Sequence, residues 1–252
     1  VGAGLAIQRA GIVAPESVVG TLVYAALAAW LLYRAPQPPY EIALAFESRR
    51  PARPTDWRLL ALVLPLIATT GAALYLVTLA ASFAAPERVA ESLAAADTSR
   101  EGDSLRALPN ELIESAMGAI AEEWLFRGVL LQLWARRFGV RFAVLATSVL
   151  FAALHADVIG SLIFGVVMAA LYVRTGTLLV PIMVHFLFNT VVTVGAVLFP
   201  DASAMTLAEF RQDWWMGVVG FAGGVAVVVW VVRTVAPLPW RLPDVPGAHR
   251  GS

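Results

Sequence analysis

The chain is cut into long stretches with almost no charge. Apolar runs occur at roughly 17–33, 59–83, 109–135, 141–156, 158–173, 177–199 and 214–232. A helix needs about 20 mostly apolar residues to cross a bilayer, so these runs predict seven membrane spans. The fourth and fifth are short and meet around His155, Ala156 and Asp157. Residues 1–14 are apolar apart from Gln8 and Arg9, as expected for the tail of a further span or an interfacial helix. The chain starts at Val1, which fits a missing upstream piece, and carries no cleavable signal pattern. The expected architecture is all-α: a polytopic integral membrane bundle of seven to eight helices. It forms one membrane domain over 1–252, with N-terminal spans and loops (1–108), a core (109–199), and a last span and tail (200–252).

Composition excludes the alternatives. The chain is 59% hydrophobic and 14% charged, where soluble domains run about 45–50% apolar and about 25% charged. Disorder needs the opposite balance. Cysteine is absent, which removes disulfides, thiol catalysis and cysteine metal sites. Net charge is zero, so nothing points to nucleic acid, and the expected surroundings are the lipid bilayer. Every basic residue is arginine. A lysine-free, Ala- and Arg-rich chain suggests a GC-rich prokaryotic genome and a prokaryotic cell membrane.

Two connections are longer than the others. Residues 34–58 carry five arginines and five prolines, a density that disfavours helix. Residues 84–108 mix both signs of charge. With alternating spans, the 34–58 loop, Arg136, Arg137, Arg141, Arg174 and the Arg233/Arg241/Arg250 tail share one side. Arginine excess marks the cytoplasmic side, so the C-terminus is expected inside. Seven of the eight tryptophans lie near span ends, where Trp prefers to sit; Trp124 is mid-span.

Ionisable groups within a bilayer are expensive and mark function by default. Spans 17–33, 59–83, 158–173 and 214–232 hold none and read as scaffold. Gly220 and Gly224 in the last span have GxxxG spacing, suited to close helix packing. The other spans hold Glu122, Glu123 and Arg127, then Phe151 and His155, then His185 and Asn189. At about 1.5 Å per residue, Glu122, His155, His185 and Asn189 reach similar depths of roughly 16–22 Å from the arginine side.

Within the first helix, Glu123 and Arg127 at i,i+4 pair on one face as a structural salt bridge. Glu122 then points elsewhere, with Gly118 one turn before it leaving room. Glu122 is the candidate general base. His155 is its candidate partner in holding a water. His185 and Asn189 share a face and can donate to an oxyanion. Each has a structural alternative: an interhelical bond for Glu122, a helix cap for His155, interhelical glue for His185 and Asn189. Asp157 reads as a loop or cap residue and Phe151 as packing. A zinc reading puts Zn²⁺ on Glu122, His155 and His185, an acceptable ligand set with an open fourth position. HExxH, a GxSxG elbow and a mid-span aspartate are all missing.

In order and spacing, Glu122-Glu123-Trp124-Leu125-Phe126-Arg127, Phe151-Ala152-Ala153-Leu154-His155 and His185-Phe186-Leu187-Phe188-Asn189 resemble the EExxxR, FxxxH and HxxxN motifs of the CPBP family. That family covers CAAX-type prenyl endopeptidases and bacteriocin-processing or immunity (Abi) proteins. The run Gly176–Pro181 is similar to the family's lead-in. The resemblance spans about 109–195. It implies an intramembrane endopeptidase acting on membrane-associated protein or peptide substrates, with eight spans in eukaryotic members. It also implies a metal-free mechanism: Glu122 and His155 activate water, and His185 and Asn189 support the oxyanion. A span upstream of Val1 would reconcile eight with seven. The competing classes are a non-catalytic immunity or scaffold protein of the same fold, and a transporter. Against the transporter stands the lack of repeated discontinuous helices.

Overall fold

The structure is a computed structural model that describes residues 56–98, 104–198 and 206–234, with Val23, Ala26, Trp30 and Tyr33 as single helical positions. Residues 1–14, the rest of the 17–33 span, most of the 34–58 loop and the Pro-rich tail at 237–246 lie outside the described residues. A 3₁₀ segment, Asp56–Leu62, runs into α1, Val63–Ala84. α2 spans Pro86–Thr98. α3, Ser104–Glu123, continues through a π-helical stretch, Trp124–Leu130, into α4, Leu131–Phe138. α5 is Val140–Ala153, α6 Val158–Thr175 and α7 Leu179–Leu198. A short α8, Leu207–Gln212, precedes α9, Trp214–Thr234. The described residues hold helices and no strands.

Among the described residues, three helices are long and apolar enough to cross a membrane: Asp56–Ala84, Val158–Thr175 and Leu179–Leu198. Val140–Ala153 and Trp214–Trp230 are apolar but shorter. Of the six spans expected in the described part, three fall short: α9 because its apolar stretch ends at Trp230, and the other two for separate reasons. The α3–α4 helix is long but carries Glu111, Glu114, Glu122, Glu123, Arg127, Arg136 and Arg137. α5 stops after 14 residues, or about 21 Å, short of the roughly 30 Å hydrocarbon core. The 84–108 connection, expected as a polar loop, is largely helical: α2 fills Pro86–Thr98 and α3 starts at Ser104.

Short connections force neighbouring helices to run antiparallel. Gly139 between α4 and α5 has φ 87°, and Gly176 between α6 and α7 has φ 70°. A side chain in that region costs roughly 1–2 kcal/mol, so glycine is the residue that permits these turns. α6 begins at Asp157, whose carboxylate accepts from the Gly160 amide at 3.0 Å, an N-cap. The reading of Asp157 as a cap therefore holds.

Two packing modes build the bundle. α9 lies against α1 through its glycines. A Cβ on Gly217 would run into Tyr75, one on Gly220 would press on Ala72, and one on Gly224 would collide with Thr69. The GxxxG spacing thus marks a true close approach of helices. At the same end, the Tyr75 hydroxyl donates to the Phe210 carbonyl, and Arg211 Nε donates to Ser82 Oγ at 3.0 Å. The second mode is side-chain interdigitation. Leu59, Leu62 and Leu66 meet Leu125, Phe126, Val129, Phe151, Phe164, Met168 and Val184 in one buried cluster. Leu131, Ala135, Ala143, Val144, Tyr172 and Val173 form another at the α4 end. Gln132 Nε2 donates to Tyr172 Oη there at 2.5 Å, tying α4 to α6.

Candidate active site

The site is assembled where the α3 helix changes its winding. Up to Glu123 the helix is α; from Trp124 to Leu130 it is π, and the Leu131 amide bonds to the Phe126 carbonyl, five residues back. Such bulges are rare in helices and concentrate at functional sites. Leu125 through Leu130 are all buried, so this stretch presents its whole circumference to the protein.

Glu123 and Arg127 pair as expected, with Arg127 Nη1 donating to Glu123 Oε1 at 3.0 Å. Both are sealed off, at 0% and 1% exposure. Arg127 Nη2 also donates to the Gly165 carbonyl of α6 at 3.1 Å, and its guanidinium sits 4.9 Å from the centre of the Phe151 ring, within cation–π range. Gly165 reaches Arg127 because α6 rides close on α5: a Cβ there would sit 3.1 Å from Ser148 Cα. One cation thus locks the π segment to α5 and α6.

Glu123 has a second task that the spacing did not reveal. Its Oε1 lies 2.9 Å from His185 Nδ1 on α7. A carboxylate there accepts, so Nδ1 carries the proton and Nε2 is turned to the site. His155 is fixed in the same way. Its Nδ1 lies 2.7 Å from the Phe151 carbonyl, which can only accept, so this ring too presents Nε2. The cap reading of His155 is therefore right about one ring nitrogen and silent about the other.

Both Nε2 atoms face Glu122. His155 Nε2 and His185 Nε2 each lie 3.9 Å from Glu122 Oε2, and that oxygen accepts no hydrogen bond from the protein. Glu122 is 15% exposed and His155 32%, while His185 is nearly sealed at 7%. Arg127 pairs with Glu123, while Glu122 Oε2 lies between the two histidines. Gly118 has open space where a Cβ would stand.

A cavity of about 200 Å³ adjoins the cluster, lined by His155, His185 and Asn189 among others. Asn189 thus shares the chamber of both histidines. Its walls are aromatic: Phe151 stacks on His155 at 4.3 Å and 26°, and Phe164 meets His185 edge-on at 4.7 Å. Phe188 lies 4.9 Å from Phe164. Phe151 packs, as expected, and also orients His155 and contacts Arg127.

Two spans read as scaffold contribute to this chamber. Thr70 of α1, and Gly160, Ser161 and Phe164 of α6, line it. They were missed because the search followed ionisable residues, and these are neutral. The one available signal was Asp157 with Gly160, whose cap interaction sets the first turn of α6 beside His155. A Cβ on Gly160 would collide with the Asp157 carboxylate. Glu122, His155 and His185 converge, yet among the described residues no three His, Cys, Asp or Glu side chains are arranged to hold a metal ion.

Residues 106–191 match the family described as type II CAAX prenyl endopeptidase Rce1-like, a segment that holds all three motifs. The matched segment covers about a third of the chain. The "putative membrane peptidase YdiL" of Bacillus subtilis (strain 168) is 35% identical over 96 residues, which cover 36% of this chain and 39% of that protein. The match thus spans about two fifths of the curated relative's length. No solved structure matches the chain. Apolar helices and a membrane-peptidase relative together make this an integral membrane protein.

Proposed function

We propose that the protein is an intramembrane endopeptidase that hydrolyses peptide bonds of membrane-associated proteins or peptides by a glutamate-activated water. The observation that carries this reading is the convergence of His155 Nε2 and His185 Nε2 on the unpaired Glu122 Oε2, each at 3.9 Å. A non-catalytic scaffold gains nothing from two fixed imidazoles and a carboxylate facing one point beside a cavity, since buried ionisables cost stability.

Glu122 takes a proton from water, and His155 Nε2, held by the Phe151 carbonyl, orients that water. The water oxygen attacks the scissile carbonyl. His185 enters the step as the imidazolium, already protonated on both nitrogens, and donates from Nε2 to the developing oxyanion; Glu123, bonded to its Nδ1, offsets the positive charge. Asn189 supplies a second donor. Glu122 then delivers its proton to the leaving amine. Charge stabilisation of this kind is strong where water is excluded. Glu123 and Arg127 position the set, and Phe151 holds His155. Phe151, Phe164 and Phe188 suit an apolar residue beside the scissile bond. The family name specifies a prenyl substrate; the aromatic walls accept apolar peptide or lipid equally, so prenylation is not assigned.

The core over 109–199 works inside a single membrane domain of seven to eight spans, with Thr70 of α1 completing the chamber. The arginine bias puts the C-terminus in the cytoplasm of a prokaryotic cell.

The test is cleavage of a reporter peptide library by protein reconstituted in lipid vesicles. Glu122→Gln keeps the shape and removes the base, with an expected loss of about 10²–10⁴-fold. Unchanged cleavage overturns the assignment, and no cleavage by the unaltered protein favours the immunity or scaffold reading. Stoichiometric zinc, lost together with activity on chelation, would replace the metal-free route.

A further inference from the structure

The two ends of the bundle differ both in charge and in their access to the cavity. At one end lie Arg58, Arg136, Arg137, Arg141, Arg174 and Arg233, with Asp56 as the acid among the described residues. The chain direction through α1, α3–α4, α5, α6, α7 and α9 brings these positions together. Gln132 on Tyr172 joins α4 to α6 at this end. At the other end lie α2, the α5–α6 turn and α8, joined through Arg211 on Ser82. Glu87, Glu91, Asp157, Glu209 and Asp213 lie there, against Arg88, Arg106 and Arg211.

The cavity belongs to the acidic end. His155 and Asp157 lie in the α5–α6 turn, and Gly160 and Ser161 in the first turn of α6. The turn is open to its surroundings: Leu154 is 56% exposed and Val158 51%. No cavity residue comes from the α4–α5 or α6–α7 turns at the arginine end. Because α5 covers only about 21 Å, its turn stands about 9 Å below the far surface of a roughly 30 Å core. A chamber that holds His155, Asp157 and His185 at that depth needs a path to water, and the nearer surface is the acidic one.

Arginine excess marks the cytoplasmic face of a multi-pass protein. We infer that the cavity opens to the extracytoplasmic face, so that the enzyme takes peptide bonds presented from outside the cytoplasm, such as the exported ends or loops of membrane proteins. The opening is a claim about structure alone; the substrate class rests on the proposed peptidase activity.

The absence of native cysteine allows a direct test. Single variants Ala208→Cys on α8, Leu154→Cys on the turn, Ser161→Cys in the cavity and Phe138→Cys at the arginine end are expressed in bacteria. Each is labelled with a membrane-impermeant maleimide in intact cells and after lysis. Ala208→Cys, Leu154→Cys and Ser161→Cys should reach in intact cells most of the labelling seen after lysis, and Phe138→Cys should label only after lysis. Labelling of Phe138→Cys in intact cells with Ala208→Cys protected overturns the inference by inverting the topology. Protection of both Leu154→Cys and Ser161→Cys while Ala208→Cys reacts overturns it by closing that face. Labelling requires no turnover, so failure of the peptidase reading leaves this result intact and is read separately from the Glu122→Gln assay.

Discussion

The α1–α9 contact and the contact among the π segment, α5, α6 and α7 lie within one bundle, yet different physics holds them. α9 meets α1 through glycines that let the two backbones approach, against Thr69, Ala72 and Tyr75, which carry no formal charge. The other contact is held by Arg127, which reaches Glu123, Gly165 and Phe151 at once, and by Glu123, which reaches on to His185. In lipid there is no hydrophobic force between helices, so association rests on close packing or on polar bonds. Close packing suffices to hold α9. The site uses charge because chemistry requires charge, and it then requires a counter-network to keep that charge in place.

If this contrast is right, the heaviest single loss comes from the charged contact. Arg127→Met should cost about 3–5 kcal/mol of stability, since it strands the Glu123 carboxylate in a buried place. A thermal or denaturant melt in detergent reads it. The double variant Arg127→Met with Glu123→Gln should melt closer to the unaltered protein than Arg127→Met alone. An additive cost would show that the pair is not a unit.

Asn189→Ala comes next and probes chemistry without the counter-network. Removing one oxyanion donor typically costs about 10²–10³-fold in kcat. The melt should not move, which separates it from Arg127→Met.

The glycine contact yields a smaller effect. Gly224→Leu forces α9 away from Thr69 and should cost about 1–3 kcal/mol by overpacking. Reporter cleavage per folded molecule should fall less than for Asn189→Ala. An equal fall would mean that α1, through Thr70, transmits helix position into the chamber.

The weakest effect lies outside both contacts. Glu209 and Thr206 close a capping box: the Glu209 carboxylate accepts from the Thr206 amide, and Thr206 Oγ1 accepts from the Glu209 amide; the bonds from Thr206 hold the Glu209 carboxyl below the usual glutamate range. A lowered folded value means the stabilisation is fully present above the unfolded value of about 4.3 and fades only as pH falls through the lower folded one. Hydrogen exchange of the α8 amides should therefore stay protected to below the ordinary glutamate range. Thr206→Ala should abolish that protection with no change at Glu122.

Much of the site was legible from helix arithmetic. Glu123 with Arg127 at i,i+4, and Glu122 left out of that pair, follow from spacing alone. So does the common depth of Glu122, His155 and His185, because membrane helices share a reference plane. The link from Glu123 to His185 was not legible, because it joins residues 62 apart in sequence and spacing carries no lateral information. Thr70, Ser161 and Phe164 were hidden by their neutrality. The helical content of 84–108 was masked by its charge, which fits a solvated loop and an amphipathic helix equally well.

The π stretch has a consequence beyond the site. It adds one residue to the helix between Glu123 and Leu131, and in an α-helix one residue is about 100° of rotation. The two halves of the long helix are therefore set in different angular registers: the glutamates meet α7, while Gln132 meets Tyr172 on α6. Deleting any one residue between Trp124 and Leu130 would force a choice between these contacts. The span thus carries a requirement on length, independent of hydropathy, in a stretch where the bilayer alone would accept one apolar residue more or fewer.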